Sequence, residues 1–244
     1  MTEFLITPKP PRICLFTMID KAYERIAEIT FPNFAAYCGK HGYKFEVGAY
    51  HTDPRKMDTY GDRGKTIVFD KLFNDFDIMM FLDADALVMN SDIRIEDVLG
   101  DRPFLWSHHW NGPCSGFWIA RNIPKVYVAI TEVRNRAPFL GNVRPIHVEG
   151  PPSKTVLEME PHGQSDQETM RTLMTMPPYD EVFGNGNCVS GKEAGHCFDY
   201  RAIGWPALGD YLGHYEPGDW LLTFPSIPLE RRIELLREAA LRAT

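Results

Sequence analysis

The sequence predicts one α/β domain in which helices flank a mainly parallel central sheet. Short, uninterrupted apolar runs such as RICLFTMI (12–19) and IMMFL (78–82) are typical of strands that are buried on both faces. Segments of helical period separate these runs, and a strand, a helix and a strand in succession form the unit from which parallel sheets are built. The 244 residues contain neither an internal repeat nor a linker-like stretch, so we expect 1–244 to fold as a single domain.

The predicted elements begin with the strand over 12–19 and a helix over 21–43. This helix is expected to end at Gly39 and Gly42, since glycine favours helix C-caps. We further predict strands over 44–50, 78–82, 103–109, 115–121 and 219–227, and helices over 64–75, 93–100, 123–137, 165–176 and 229–243. Segments 51–63, 138–165 and 184–219 are expected to be loops, and long loops in a compact domain usually bind ligands.

Composition and charge argue against several functional classes. The formal net charge of −7 argues against a nucleic-acid-binding surface. The five cysteines are scattered and form no CxxC pair, so we expect reduced thiols in a cytoplasmic protein rather than a zinc site or a disulfide framework. No run of about 18 apolar residues occurs, so no transmembrane segment is expected.

Two aspartates directly follow an apolar strand in the segment FDIMMFLDADALVMN (76–90). Ligands of open parallel sheets bind beyond the carboxyl ends of the strands, and in extended backbone Asp83 and Asp85 would point the same way. Two converging carboxylates repel unless a cation lies between them or one of them is protonated, and their hard oxygen atoms suit Mg²⁺ or Mn²⁺ bound together with a diphosphate. The alternative is that Asp83 caps a turn and Asp85 is merely solvated.

Several segments occur in the order typical of one enzyme family. They are HGYKFEV, RGKTIVFDKLF followed by DIMMFLDADALVMN, SGFWIARN, SDQETM and GDWLLTF. Over about residues 12–227 the chain resembles the retaining galactosyl-, xylosyl- and mannosyltransferases of the GT-A fold, and LDADALVMN is similar to their LDxDxxxxN segment with its DxD motif. The resemblance implies a Rossmann-like GT-A domain.

The resemblance also implies roles for individual positions. Asp83 and Asp85 match the motif that binds the metal and the nucleotide diphosphate, and Asp85 and Asp166 are the implied catalytic residues. Asp166 matches the acidic residue that faces the donor sugar and the acceptor, although Gln164-Ser165 replaces the family's Glu-Gln before it. The implied donor-binding residues are Thr17, Met18, Ile19, Asp20, Lys65, Asp83, Ser115 and Gly116.

One position departs from the family pattern. The family's late histidine, a third metal ligand, should lie in GDWLLTF, where this chain has Thr223. His214 could supply the missing nitrogen if its loop folds back towards Asp83 and Asp85. Alternatively the aspartates, the diphosphate and water hold the metal, or the chain is a catalytically silent relative.

The resemblance implies a glycosyltransferase that depends on Mn²⁺ or Mg²⁺ and moves a hexose or pentose with retention. The donor would be a UDP-sugar, with a GDP-sugar as the second choice, and the acceptor a glycan or glycolipid hydroxyl of polysaccharide biosynthesis. We expect residues 12–121 to bind the nucleotide and residues 122–227 to bind the acceptor. The C-terminal helix (229–243) is expected to pack on the domain, with a peripheral membrane contact as the alternative.

Two other functions stay open at this point. A nucleotide-sugar-binding module without turnover would explain Thr223. A phosphohydrolase with Asp83 as nucleophile is less favoured, because Ala86-Leu87 follows where dehalogenase-type phosphatases have Gly-Thr.

Overall fold

The computed structural model describes most of the chain, with gaps between the described ranges. These ranges are residues 9–19, 21–49, 64–109, 112–136, 143–148, 154–159, 166–184, 186–190, 215, 217–224 and 227–244. Asp20 and His214, both predicted to belong to the site, lie outside them.

The described residues form both strands and helices, numbered here in chain order. The strands are β1 (Ile13–Ile19), β2 (Lys44–Ala49), β3 (Ile78–Leu82), β4 (Ala86–Val88), β5 (Phe104–His109), β6 (Gly112–Arg121), β7 (Val143–Val148), β8 (Lys154–Met159), β9 (Cys188–Ser190) and β10 (Leu221–Thr223). The helices are α1 (Glu24–His41), α2 (Gly64–Leu72), α3 (Ile95–Leu99), α4 (Pro124–Arg136), α5 (Asp166–Leu173), α6 (Asp180–Phe183) and α7 (Leu229–Ala240), with a 3₁₀ turn over Lys21–Tyr23 before α1.

Six strands form the central sheet in the order β2-β1-β3-β6-β5-β9. The pairs β1–β2, β1–β3 and β5–β9 are parallel, whereas β6 runs antiparallel to its neighbours β3 and β5. The other five strands therefore run in one direction, which confirms the predicted mainly parallel sheet. Strands β4 and β10 form a separate antiparallel pair, and so do β7 and β8.

Alternate residues of the central strands face two hydrophobic cores. Leu15 and Met80 lie in the core that α1 covers with Phe34. Phe16 lies in the other core, where its ring packs edge-on against Trp118, which is 2% exposed. Because each strand must fill a core on both sides, its sequence is continuously apolar, as predicted for β1 and β3. Burial of one such large side chain contributes about 1.5–3 kcal/mol.

Helix α1 ends at Gly42, which confirms one of the two predicted capping glycines. Gly42 has a φ of 71° and donates its backbone N–H to the carbonyl of Cys38. The left-handed conformation is accessible to glycine at little cost, so this position ends the helix. The prediction for Gly39 was wrong, because the buried residues Tyr37 and Cys38 hold the last turn in place and the helix continues through Gly39 to His41.

The segment 138–165 was predicted as an irregular loop, and this was wrong for two stretches of it. Strands β7 and β8 pair in antiparallel register from Val143 opposite Met159 to Val148 opposite Lys154. Pro145 obscures the strand signal because proline has no N–H for a ladder. Proline is nevertheless tolerated in edge strands, and both strands of a two-stranded ribbon are edges. In the segment 184–219, the short strand β9 was likewise missed.

The C-terminal helix α7 packs on the domain, as predicted for residues 229–243. Ile233, Leu235 and Leu236 are buried in a third apolar cluster together with Leu87 and Phe224. Both Nη atoms of Arg25 on α1 also contact the carboxylate of Glu230 on α7, at 2.5 and 2.8 Å. The start of α7 is therefore fixed against α1. No helix among the described residues is both long enough and apolar enough to cross a bilayer.

Candidate functional site

The two aspartates lie in a turn at the carboxyl edge of the central sheet, between β3 and β4. The N–H of Ala86 donates to the carbonyl oxygen of Asp83 over 3.1 Å, and the two residues between them are turn residues. The extended backbone predicted for 83–85 was therefore wrong. The chain turns here because β4 leaves the central sheet and pairs with β10 instead. As a result, Asp83 and Asp85 have different neighbours.

Strand β6 is irregular beside Asp83. Its register with β5 shifts from Trp106 opposite Trp118 to Ser107 opposite Cys114, so the pairing skips residues 115–117. Such bulges re-aim side chains and are common next to active sites. The bulge presents Ser115 and Gly116 to the turn that holds Asp83.

Gly116 makes room for the Asp83 carboxylate. The Asp83 N–H donates to the Gly116 carbonyl over 2.9 Å, and a Cβ at position 116 would lie 2.5 Å from Asp83 Oδ2. Real Cβ atoms do not approach an oxygen this closely, so a side chain at 116 would force the carboxylate to move. The requirement for glycine is therefore steric.

Lys65 is buried and joins three elements. Its Nζ donates to the carbonyl and to Oγ of Ser115, at 3.1 and 3.0 Å, and lies 2.8 Å from Asp166 Oδ2. The ammonium group also sits 4.7 Å above the centre of the Phe81 ring. The side chains of Lys65 and Asp166 are only 9% and 4% exposed. A solvated role for Lys65 is therefore excluded, and three of the predicted residues, far apart in sequence, are in direct contact.

Asp166 begins helix α5, as its predicted place in a first helical turn requires. Its neighbour Gln167 accepts a hydrogen bond from the Ser115 N–H over 3.1 Å through Oε1. Asp166 Oδ2 forms an ion pair with Lys65 Nζ, but the geometry of this contact is not that of a hydrogen bond. In the described part of the chain, no group donates a hydrogen bond to Asp166 Oδ2. The start of α5 is thus tied to β6 and α2 at the same edge of the sheet.

The end of β1 brings three of the predicted donor-binding residues to the same edge. Thr17 and Met18 are buried, and Ile19 is partly exposed at the last position of the strand. Thr17 Oγ1 is buried without a hydrogen-bond partner among the described residues. Buried hydroxyls are normally paired, so this oxygen is a candidate for a ligand contact. The role of Asp20 lies outside the described residues and stays a prediction.

Asp85 is buried and paired with a residue of the C-terminal helix. Its Oδ2 accepts from Arg232 Nη1 over 2.7 Å, and each of the two side chains is 11% exposed. Arg232 also donates to the hydroxyl of Tyr23 (3.2 Å) and to the carbonyl of Ile227 (2.8 Å). Burial raises the pKa of Asp85, and the charge of Arg232 opposes this shift.

Thr223 is the residue found where the resemblance predicted the family's histidine. Strand β10 places it opposite Ala86, one residue after Asp85, and it is 5% exposed. The late motif therefore lies beside the two aspartates, as the resemblance implied. A threonine hydroxyl is a poor ligand for a divalent ion compared with imidazole. His214, the predicted substitute, lies outside the described residues.

The described residues fit a divalent cation only in part. They contain no group of three or more His, Cys, Asp and Glu residues placed to hold a metal ion. The carboxylate of Asp85 already has a guanidinium as its counter-ion. Asp83 is partly exposed at the carboxyl edge of the sheet, where one carboxylate together with ligand phosphates is a common Mg²⁺ arrangement. Asp83 is therefore suited to the role of a metal ligand, whereas Asp85 is not while it is paired with Arg232.

The chain is similar in structure to known proteins, but its sequence matches none of the families or curated proteins with which it was compared. No protein-family model matches the sequence, and no curated protein matches it. A glycosyltransferase involved in the glycosylation of the major capsid of PBCV-1 superposes with a TM-score of 0.57 at 12% identity, covering 93% of this chain and 100% of the other. The apo form of the glycosyltransferase GlyE from Streptococcus pneumoniae gives a TM-score of 0.51 at 13% identity, covering 94% of this chain and 60% of GlyE.

The chain has the GT-A glycosyltransferase fold. At these identities the likeness extends to the fold alone. A third solved structure, a Drosophila β1,4-galactosyltransferase 7 in complex with manganese, UDP-Gal and xylobiose, gives a TM-score of 0.36 over 48% of this chain, which is too low to support an inference. Within this GT-A fold, the described residues predicted to form the site lie at one edge of the sheet.

Three residues of the site were missed by the sequence analysis. They are Tyr23, Gln167 and Arg232. Gln167 contacts Ser115, Arg232 contacts Asp85, and Tyr23 contacts Arg232. Gln167 lies within the SDQETM segment and directly follows Asp166, so its position in the sequence could have indicated that it belongs to the site. Arg232 gave no such signal, because an arginine on an amphipathic helix is usually a solvated residue.

Proposed function

We propose that this protein is a glycosyltransferase that takes its sugar from a nucleotide-diphosphate sugar, with a UDP-sugar favoured over a GDP-sugar. The observation that supports this most is the contact of Lys65 with Ser115 and Asp166, beside the Asp83–Gly116 pair, in a chain of GT-A fold. The family resemblance implies donor binding for Lys65, Asp83, Ser115 and Gly116 and a catalytic role for Asp166. Their convergence at the carboxyl edge of the strands, where open α/β sheets bind ligands, supports a donor site.

In this proposal each residue has a separate task. Lys65 opposes the negative charge that develops on the departing diphosphate, since a fixed cation in a water-poor site stabilises charge strongly. Asp166, held by Lys65, faces the transferred sugar and the acceptor hydroxyl. Thr17, Met18 and Ile19 form the wall against the nucleoside. Residues 12–121 accordingly supply most of the nucleotide contacts and residues 122–227 those to a glycan or glycolipid hydroxyl.

A divalent cation, Mn²⁺ or Mg²⁺, is part of the proposal. Asp83 and the donor's own phosphate oxygens would hold it, and when bound it neutralises charge on the diphosphate. Retention of the anomeric configuration and the transfer of a hexose or pentose are proposed from the family resemblance. The contacts at the site would suit either stereochemical outcome.

The first experiment is donor hydrolysis by the purified protein. We expect release of UDP or GDP from at least one sugar of a UDP- and GDP-sugar panel in the presence of Mn²⁺, measured by a coupled nucleotide assay. The Asp83→Asn and Lys65→Met variants should release at least about 100-fold less, because the first loses the proposed carboxylate ligand of the metal and the second loses the cation that faces the diphosphate. Val128→Ala, at an exposed position of α4, is the matched control and should keep full activity. Equal rates in all four proteins would rule out the proposed site.

The alternative function is a nucleotide-sugar-binding module without turnover. Two observations favour it, namely Thr223 in the place of the family histidine and the pairing of Asp85 with Arg232. This alternative predicts that calorimetry detects UDP or GDP binding that Lys65→Met weakens, while no acceptor or water is glycosylated. A single glycosylated product detected by mass spectrometry would exclude it.

A further inference from the structure

The ion pair between Asp85 and Arg232 joins the 83–86 turn to helix α7. Arg232 Nη1 lies 2.7 Å from Asp85 Oδ2, and both side chains are 11% exposed. The family resemblance implies a metal ion as the partner of this carboxylate. The structure instead places a guanidinium beside it, and the described residues hold no three-ligand cluster around it.

Arg232 is held from several sides. Besides Asp85, it donates to Tyr23 Oη and to the carbonyl of Ile227. Helix α7, which carries Arg232, is in turn held by its buried residues Ile233, Leu235 and Leu236. Arg232 cannot swing out of the site without breaking these contacts.

The chemistry of arginine makes the pair difficult to replace by a metal. An arginine side chain keeps its proton at every accessible pH, so it cannot become neutral to admit a second cation. A metal that takes the Asp85 carboxylate would leave Arg232 buried beside it without its counter-ion, and an uncompensated buried charge is strongly unfavourable. Thr223, opposite Ala86, offers only a hydroxyl to offset this loss.

We propose that Arg232 is the fixed counter-ion of Asp85 and positions the 83–86 turn, so that Asp85 is not a metal ligand in this protein. The donor-site metal then has Asp83 as its carboxylate ligand and depends on the nucleotide diphosphate for its other oxygen ligands. This second statement rests on the proposed function, whereas the first rests on the ion pair itself. Metal and nucleotide are consequently expected to bind together rather than in sequence.

The first test uses Mn²⁺ alone and does not require the proposed function. Electron paramagnetic resonance of unbound Mn²⁺ gives its affinity for the wild type, for Arg232→Gln and for the neutral pair Asp85→Asn/Arg232→Gln. We expect the wild type and the neutral pair to bind Mn²⁺ with the same weak affinity, within threefold. Arg232→Gln should bind Mn²⁺ at least tenfold more tightly, because its Asp85 has lost the competing cation. An affinity at least tenfold lower in the neutral pair than in the wild type would overturn the proposal, because Asp85 would then be a ligand.

The single variant leaves Asp85 buried without its partner, so it is compared for stability as well. We expect Mn²⁺ to raise the thermal midpoint of Arg232→Gln and to leave that of the wild type unchanged. Should Arg232→Gln fail to fold with or without Mn²⁺, the comparison of the wild type with the neutral pair still decides the question. In that comparison, equal affinities support the proposal and an Asp85-dependent affinity contradicts it.

The second test repeats the Mn²⁺ titration with saturating UDP. We expect UDP to tighten Mn²⁺ binding at least tenfold in both the wild type and the neutral pair, and to lose this effect in Asp83→Asn. Tightening that occurs in the wild type and disappears in the neutral pair would overturn the assignment of Asp85. Absence of UDP binding in every protein would contradict the proposed function, while the titration with Mn²⁺ alone would still decide the role of Arg232.

Discussion

Lys65 Nζ lies 2.8 Å from Asp166 Oδ2, although the two residues lie in the first turns of helices on different parts of the chain. The pair is almost completely buried, and Ser115 of β6 is the third member of the contact. A buried ion pair costs desolvation energy and is weak evidence for a role in stability alone. Its position next to Asp83 and Gly116 gives it a better explanation as part of a ligand site.

Removal of the lysine should affect both stability and activity. In Lys65→Met the carboxylate of Asp166 remains buried without its cation, which costs about 3–5 kcal/mol of the free energy of unfolding. Donor hydrolysis should also fall by about 100- to 1,000-fold, since a charge that faces the leaving group is lost. Urea unfolding and the kcat/KM for donor hydrolysis measure the two effects.

The double variant Lys65→Met/Asp166→Leu is the control for this prediction. It removes both charges, so it should recover most of the stability while donor hydrolysis stays low. Recovery of activity together with stability would show that the pair acts only on folding, and the donor-site assignment of Lys65 would then be wrong.

Gly116 should tolerate no side chain. A Cβ at this position would lie 2.5 Å from Asp83 Oδ2, so Gly116→Ala is expected to displace the carboxylate and to lower donor hydrolysis at least about tenfold. Gly39→Ala is the matched control, because no heavy atom lies within 4 Å of the added Cβ and the residue is inside α1. This control should keep full activity and gain up to about 1 kcal/mol of stability. Equal activity of the two variants would contradict the proposed position of Asp83.

Trp118 should be the most costly single position to truncate in the core under α2 and α4. Its ring packs against Phe16, Phe81, Phe69 and Phe104 with centroid distances of 5.4 to 5.7 Å. Trp118→Ala is expected to lower the free energy of unfolding by about 3–5 kcal/mol. Val128→Ala, on the exposed side of α4, should change it by less than about 0.5 kcal/mol. Denaturant unfolding monitored by circular dichroism distinguishes the two.

Three cysteine thiols, on β1, α1 and β9, should be inert at neutral and mildly alkaline pH. Burial raises the pKa of Cys14, Cys38 and Cys188 to about 12 each. Because the thiolate is the reactive form and its fraction at pH 8 is then on the order of one in ten thousand, iodoacetamide should leave these three residues unmodified in the native protein. Peptide mass spectrometry is the measurement, and guanidinium-unfolded protein is the control in which all three become alkylated. Rapid native modification of Cys14 would contradict the burial of β1.

The fold was largely predictable from periodicity and composition. The apolar runs of β1 and β3 were assigned as doubly buried strands, and the structure places α1 on one face and α2 and α4 on the other. The hairpin of β7 and β8 was missed because Pro145 interrupts its alternation, and β9 was missed because three residues are too few to show a period. Short or interrupted strands depend on a neighbouring strand, which a local pattern does not reveal.

For the candidate site, the sequence by itself determined which residue types stand at the ends of the apolar strands, because those ends must face solvent or a ligand. This was sufficient to single out Asp83 and Asp85, whereas Lys65, Ser115, Gly116 and Asp166 were implied by the family resemblance. The structure brings Asp83 and these four residues to one edge of the sheet. Only the tertiary structure decided the partner of Asp85. Arg232 reaches Asp85 because α7 packs on α1 and β4. The position of a helix that lies far away in sequence depends on shape and long-range burial rather than on any local pattern.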